Sequence, residues 1–202
     1  MAQGLFDPAS LDELRAAASG CTRCHLYERA TQTVFGEGEA DARLMLVGEQ
    51  PGDKEDRAGA PFVGPAGKVL DRGLEASGID RTQVYVTNVV KHFKWTAKGK
   101  VRLHQKPNAE EIAACRPWLE GEIGLVQPEL VVCLGATAAQ ALLGRTFRVT
   151  KQRGELVDWP GHPRAMATVH PSSILRAEER REAEFADFVD DLKAVAARLH
   201  GG

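Results

Sequence analysis

The 202-residue chain has no apolar run long enough to span a bilayer. Its first ten residues, MAQGLFDPAS, lack the basic region and apolar core of a secretory signal. An intracellular, cytoplasmic location without a membrane partner is therefore expected. A charge excess is missing too: 26 Lys and Arg stand against 28 Asp and Glu, so any affinity for nucleic acid must come from a local patch. No internal repeat, low-complexity segment or linker is visible, and residues 1–202 read as one domain, expected to be monomeric. With 43% apolar and 27% charged residues, the composition is that of an ordinary globular protein and argues against disorder. Cysteine is scarce, with only Cys21, Cys24, Cys115 and Cys133. In a reducing compartment two disulfides are not expected. A C-x2-C pair followed by Cys115 and then Cys133 suits a metal, either zinc or an iron–sulfur cluster. Spacing alone does not separate the two. Buried free thiols with an incidental C-x2-C are the plain alternative.

What is present alternates between strand and helix. SLDE (10–13) is a capping-box pattern opening a short helix that runs to Ser19–Gly20. RLMLVGE (43–49) is a short apolar run ending at glycine and reads as a buried strand. PAGKVLDRGLEASG (65–78) spaces Val69, Leu70 and Leu74 as a helix does, with Pro65 at its start and Gly78 at its stop. VYVTNVV (84–90) is strand-like. Asn108 caps a helix reaching about Val126, with Glu111 three positions after the cap. ELVVCLG (129–135) is a third strand, ATAAQALLG a helix, and AMATVHP (165–171) a fourth strand. The stretch from about Glu178 to Leu199 is an amphipathic helix with Phe185, Phe188, Leu192 and Val195 on one face. The alternation predicts an α/β fold, a four-stranded parallel sheet with helices on both faces, whose ligands bind beyond the carboxyl ends of the strands.

The polar residues gather at those ends. GEQPGDKED (48–56) follows the first strand, Asn88 lies within the second, GATAAQ follows the third and HPSSILR (170–176) the fourth. An acidic turn is commonly a solvated loop, but its place after a buried strand favours function. Phe62 stands before a glycine-rich helix start that could hold a phosphate, although core packing explains a lone Phe equally well. His170 could be a hydrogen-bonded structural residue. A further oddity is KGKVRLHQKP (98–107), a basic stretch with one histidine near its end. A solvated or nucleic-acid-binding loop needs no imidazole there.

GEQPGDKED, HPSSILR, NVVK (88–91) and the four cysteines together resemble the iron–sulfur members of the uracil-DNA glycosylase superfamily, over about Cys21 to Arg176. The resemblance implies a three-layer α/β/α sandwich and a structural [4Fe–4S] cluster, rather than zinc, on Cys21, Cys24, Cys115 and Cys133. It implies that uracil-containing DNA, single-stranded or with the nucleotide flipped out, is the partner. Asn88 then pairs with the uracil O4 and N3–H edge, which cytosine reverses. Phe62 stacks on the base. His170 hydrogen-bonds uracil O2 as charge develops. The backbone from Gln50 through Gly52 to Asp53 closes the pocket, with Asp53 placed among the catalytic groups. Gly64, Thr137, Ser172 and Ser173 become phosphate contacts. Ile174, Leu175 and Arg176 stand where the family pushes a wedge toward DNA.

Two features depart from ordinary iron–sulfur members, which have alanine in place of Gln50 and a short proline-rich connection where this chain has HFKWTAKGKVRLHQK (92–106). Both resemble the UdgX branch, whose basic loop typically reads KRRIH; here it is KVRLH, Lys100 to His104. That resemblance implies a histidine nucleophile, His104, attacking sugar C1′ after uracil departs and leaving a stable protein–DNA bond. Glu49 would orient the ring or take its proton, and Lys100 and Arg102 would attract DNA. A conventional, multiple-turnover glycosylase is the first alternative, and a non-catalytic metal-containing DNA-binding module the second.

Overall fold

A computed structural model describes residues 8–200; the ends of the 1–202 span read from sequence lie outside them. Four strands form the parallel sheet: β1 (Leu44–Gly48), β2 (Val84–Asn88), and two later strands at Leu130–Leu134 and Arg164–Thr168. Between the second and third of these lies an antiparallel hairpin, β3 (Trp95–Lys98) and β4 (Val101–His104), so the later pair are β5 and β6. The sheet order is β2-β1-β5-β6. The chain leaves β1 toward one edge and later enters β5 on the opposite side of β1, so a topological switch point lies between β1 and β5.

Every residue of β1, β2 and β5 is buried, as strands covered on both faces require. Side chains alternate across the sheet. Leu44, Leu46, Val84, Val86, Leu130, Val132 and Leu134 share an apolar cluster with residues of α3 (Pro65–Ala76) and α8 (Arg181–His200). Met45, Val47, Tyr85, Val131 and Cys133 face a second cluster with α1 (Leu11–Ser19) and α4 (Ala109–Val126). The three layers expected from sequence are thus present.

The helix starts follow their caps. Ser10 Oγ accepts from Glu13 N at 3.2 Å at the head of α1. Asn108 and Glu111 form a reciprocal box at α4, with bonds of 2.9 and 2.6 Å. Three short helices were not foreseen: α2 (Asp53–Ala58), α6 (Val149–Gln152) and α7 (Pro171–Leu175); α5 (Ala136–Leu143) was. The largest departure is the basic insert. It is a β-hairpin, Trp95 opposite His104 and Lys98 opposite Val101, not a loop. At the opposite end of the sheet Arg43 donates to Leu199 O at 2.7 Å, which ties the end of α8 to the entry of β1. Among the described residues, no helix is long and apolar enough to cross a membrane.

Candidate active site

The carboxyl ends of the four strands open into a cleft of about 810 Å³. Its lining includes Glu49, Gln50 and Gly52 after β1, Asn88 at the end of β2, Gly135 and Thr137 after β5, and His170, Ser172, Ser173 and Arg176 after β6. Phe62 and His104 complete it from the segment before α3 and from the hairpin. Side chains far apart in sequence converge because the parallel sheet puts every strand end on one rim.

The floor is narrow. Asn88 pairs in register with Gly48, and a Cβ built on Gly48 would lie 2.4 Å from Asn88 Oδ1 and 2.7 Å from Phe62 Cζ. Only glycine leaves the slot between the amide and the ring open. Phe62 adopts φ 56°, a left-handed conformation that a bulky side chain rarely holds. A Cβ on Gly67 would lie 1.6 Å from Phe62 O, so this turn and α3 are packed backbone to backbone. Phe62 and His170 stack with ring centres 6.1 Å apart. The Asn88 side-chain amide has no protein hydrogen-bond partner among the described residues, and it faces the cleft.

His170 is held as a neutral ring. Burial pushes its pKa down to about 4; the nearby Glu49 carboxylate opposes this, and Arg176 adds to it. Its Nδ1 accepts from Ser172 N at 3.1 Å, which places the proton of the neutral ring on Nε2. Burial works against the charge of Glu49. Hydrogen bonds from His104 and Thr137 outweigh it and hold the carboxyl below its ordinary range. Glu49 Oε1 lies 3.2 Å from His104 Nε2, and its other oxygen accepts from Thr137 Oγ1.

Gln50 does not reach into the cleft with its amide. Nε2 donates to Lys94 O (3.2 Å) and Gln105 O (3.0 Å), and Oε1 accepts from Lys94 N (3.2 Å), which staples the base of the hairpin. Arg102 turns inward, toward two carboxylates. Its side chain is 12% exposed, binds Asp53 and Asp56, and lies over the rings of Phe93 and Trp95 at 5.3 and 5.4 Å. Asp53, expected among the catalytic groups, is instead occupied by Arg57 and Arg102 and does not line the cleft. Gly64 caps α3 and donates to Glu55 Oε1 at 2.6 Å, and Lys100 sits at the hairpin tip; neither lines the cleft. Ile174, expected on a wedge, is buried in the α3–α8 cluster. Glu55 is one of the acids of the 48–56 turn to which the sequence assigns no role. It lines the cleft and accepts from Gly52 N as well as Gly64 N, joining the two glycine turns. Its spacing three positions after Gly52, a capping-box interval, was the available signal. Lys106, from the basic stretch singled out in the sequence, and Thr150, which nothing in its local sequence marks, also line the cleft.

The thiols lie on the α1–α4 side. Cys21, Cys24 and Cys115 are close enough to oppose one another's ionisation. Burial pushes Cys115 up to about 12, against the opposing pull of Lys91. Cys133 is pushed to about 12 by burial alone; it faces the same apolar cluster from mid-β5. Two N–H groups point at sulfur: Trp118 Nε1 at 3.1 Å from Cys21 Sγ and Lys91 N at 3.2 Å from Cys115 Sγ. Among the described residues, no three His, Cys, Asp or Glu side chains gather tightly enough to ligate a single ion. Three thiols near one another, two of them receiving N–H donors, form a donor set that suits a thiolate-ligated metal centre.

A narrow slot, an amide and a neutral imidazole at the strand ends of a parallel sheet define an α/β protein with a polar ligand cleft at its topological switch point. Residues 35–193 match the Uracil DNA glycosylase superfamily, and the chain belongs to that family. Among its relatives, a Type-4 uracil-DNA glycosylase of Thermotoga maritima is 42% identical over 157 residues, covering 77% of this chain and 78% of its own. One from Archaeoglobus fulgidus is 32% identical over 186 residues (89% and 90%). A Type-5 uracil-DNA glycosylase of Pyrobaculum aerophilum is 34% identical over 155 residues (68% and 64%).

Proposed function

We propose that the protein excises uracil from DNA and remains linked through His104 to C1′ of the sugar it leaves. The observation that carries the reading is the contact of His104 with Glu49 at the mouth of the cleft, 3.2 Å apart, on a hairpin stapled at its base. Asn88 reads the uracil O4 and N3–H edge, and Phe62 and the Gly48 floor admit a flat ring. Ser172, Ser173, Thr137 and Arg176 face the phosphates. The C1′–N1 bond breaks with its electron pair going to uracil, and the His170 Nε2–H donates to O2, where negative charge grows. A neutral donor suits this, since it stabilises the anion without quenching it. Glu49 takes the proton of His104 Nε2. The freed lone pair then bonds to C1′ and cancels the positive charge of the sugar, leaving a neutral N-alkylated imidazole beside a protonated Glu49. The ring could leave again only as an imidazolate, a poor leaving group, so the bond persists.

Cys21, Cys24 and Cys115, with Cys133 as the fourth thiol on that face of the sheet, are the residues proposed to hold a [4Fe–4S] cluster. Bound there, it would tie the segment after α1 to α4 and take no part in bond breaking.

A second reading, a conventional glycosylase that turns over, is favoured by the Type-4 relatives. A denaturing gel decides. Native protein mixed with single-stranded uracil DNA is expected to give a heat-stable slow band that is missing with thymine DNA and with His104→Ala, while His104→Ala still releases uracil. Alkali-labile DNA without a slow band supports turnover. An adduct that survives in His104→Ala refutes the nucleophile assignment.

A further inference from the structure

Lys91 is a charged residue with no exposure at all, and its partner Glu122 is buried as completely. All three ammonium donors are used. Nζ donates to Glu122 Oε2 at 2.5 Å, to Thr87 Oγ1 at 2.6 Å and to the backbone carbonyl of Asn88 at 2.7 Å. Glu122 in turn accepts from Thr87 Oγ1, Tyr85 OH and Gly36 N. A well-packed apolar pair fills such a volume with equal or greater stability, so stability alone gives little reason for the pair. Its placement gives another.

The chain must turn sharply after β2 while Asn88 stays fixed. The next two N–H groups are anchored to the neighbouring strand end: Val89 N to Gly48 O at 2.9 Å and Val90 N to Glu49 O at 3.0 Å. The carbonyl of Asn88 is secured by Lys91 Nζ, and the backbone N–H of Lys91 reaches Cys115 Sγ at 3.2 Å. One residue therefore holds the base-reading strand end on one side and the thiol pocket on the other.

We propose that Lys91 is a positioning residue for uracil recognition: its ammonium, balanced by Glu122, locks the backbone of Asn88 so that the side-chain amide meets the base edge. The inference rests on the reading of Asn88 as the uracil-recognising amide. It assigns Lys91 no contact with substrate.

The test uses Lys91→Met/Glu122→Gln, which removes the ammonium without leaving a buried unpaired carboxylate. The readouts are equilibrium binding of free uracil, the half-saturating DNA concentration against the maximal rate of uracil release in a single turnover, the melting temperature and the visible spectrum of the metal-loaded protein. Uracil affinity is expected to fall about tenfold, with the half-saturating concentration rising in parallel, while DNA carrying an abasic analogue binds as it does to the native protein. Glu122→Gln alone, which keeps the bond from Lys91 to the Asn88 carbonyl, is expected to lower the melting temperature and spare uracil affinity. Equal loss of affinity in Glu122→Gln and in the double variant would make the pair merely structural and overturn the inference. Native uracil affinity in a folded double variant overturns it as well. Should the double variant not fold, Lys91→Gln/Glu122→Gln gives the same comparison. Asn88→Ala separates the layers: weakened binding there with native binding in the double variant removes only the role of Lys91, and native binding in Asn88→Ala removes the reading beneath it.

Discussion

Arg102→Met should separate base excision from covalent capture. The guanidinium is the main polar anchor between the hairpin and α2, bound to Asp53 and, at 2.6 Å, to the fully buried carboxylate of Asp56. Removing one partner of a buried pair costs about 3–5 kcal/mol. The lower end applies, because Asp53 keeps Arg57 and Asp56 keeps both Thr31 N (2.9 Å) and Thr31 Oγ1 (2.5 Å). A two-stranded hairpin is at best marginally stable by itself, so about 3 kcal/mol is enough to melt it locally. That corresponds to a fall of roughly 100-fold in the population that holds His104 beside Glu49. Asn88 ends β2 and His170 caps α7 just after β6, both apart from the hairpin, and should stay in place. The expected result is an adduct rate lowered about 100-fold, with uracil release changed by less than about fivefold. A denaturing-gel time course measures the first, and alkali cleavage of the same samples the second. Amide exchange across 95–104 should quicken while that of β1 and β5 stays slow. An adduct rate equal to that of the native protein, with the hairpin amides exchanging fast, would refute the claim that the anchor positions the nucleophile.

Other perturbations probe the cleft. Gly48→Ala puts a methyl group into the slot between Asn88 and Phe62 and should cut uracil release about 100-fold with native circular dichroism; unchanged release would show that the base does not lie there. The neutral His170 makes stability depend on pH. Its folded pKa of about 4 lies below the ordinary 6.5, so between these values the unfolded chain binds a proton that the folded chain refuses. Its contribution is complete above about pH 6.5, declines as pH falls and levels off below about 4, a change on the order of 3 kcal/mol. Urea unfolding at pH 7 and pH 4.5 should reveal that slope, and His170→Gln should flatten it; an equal slope in both proteins would place the titration elsewhere.

The sheet was legible because its strands are buried on both faces. Five-residue apolar runs ending in glycine or a polar residue leave few readings other than a parallel core. Caps were legible for the same reason, since Ser10, Asn108 and Pro65 satisfy or remove donors that a helix end must settle. The hairpin was not. Six of its eight strand residues are exposed and the other two, Trp95 and Arg102, are half-buried, and no alternation of apolar side chains announces it. Its order comes from long-range polar links, Gln50 to Lys94 and Gln105, and Arg102 to Asp53 and Asp56, which composition does not reveal. Arg102 shows the general difficulty: a cation in a basic stretch looks like a DNA contact, while its direction depends on two carboxylates almost fifty residues away. Asp53 and Glu55 form the converse pair. Both belong to one acidic turn, and only the helix of α2 decides that Glu55 faces the cleft and Asp53 does not.

The bond between Arg43 and Leu199 has a practical consequence. It fixes the end of α8 at the amino ends of the strands, while the cleft lies at their carboxyl ends. A five-residue strand is roughly 15 Å long, so a dye or a bead attached beyond Leu199 would stand a full sheet length from the DNA. If capture is covalent, such a conjugate becomes a reagent that marks uracil in a genome permanently and can be washed under denaturing conditions without losing its label.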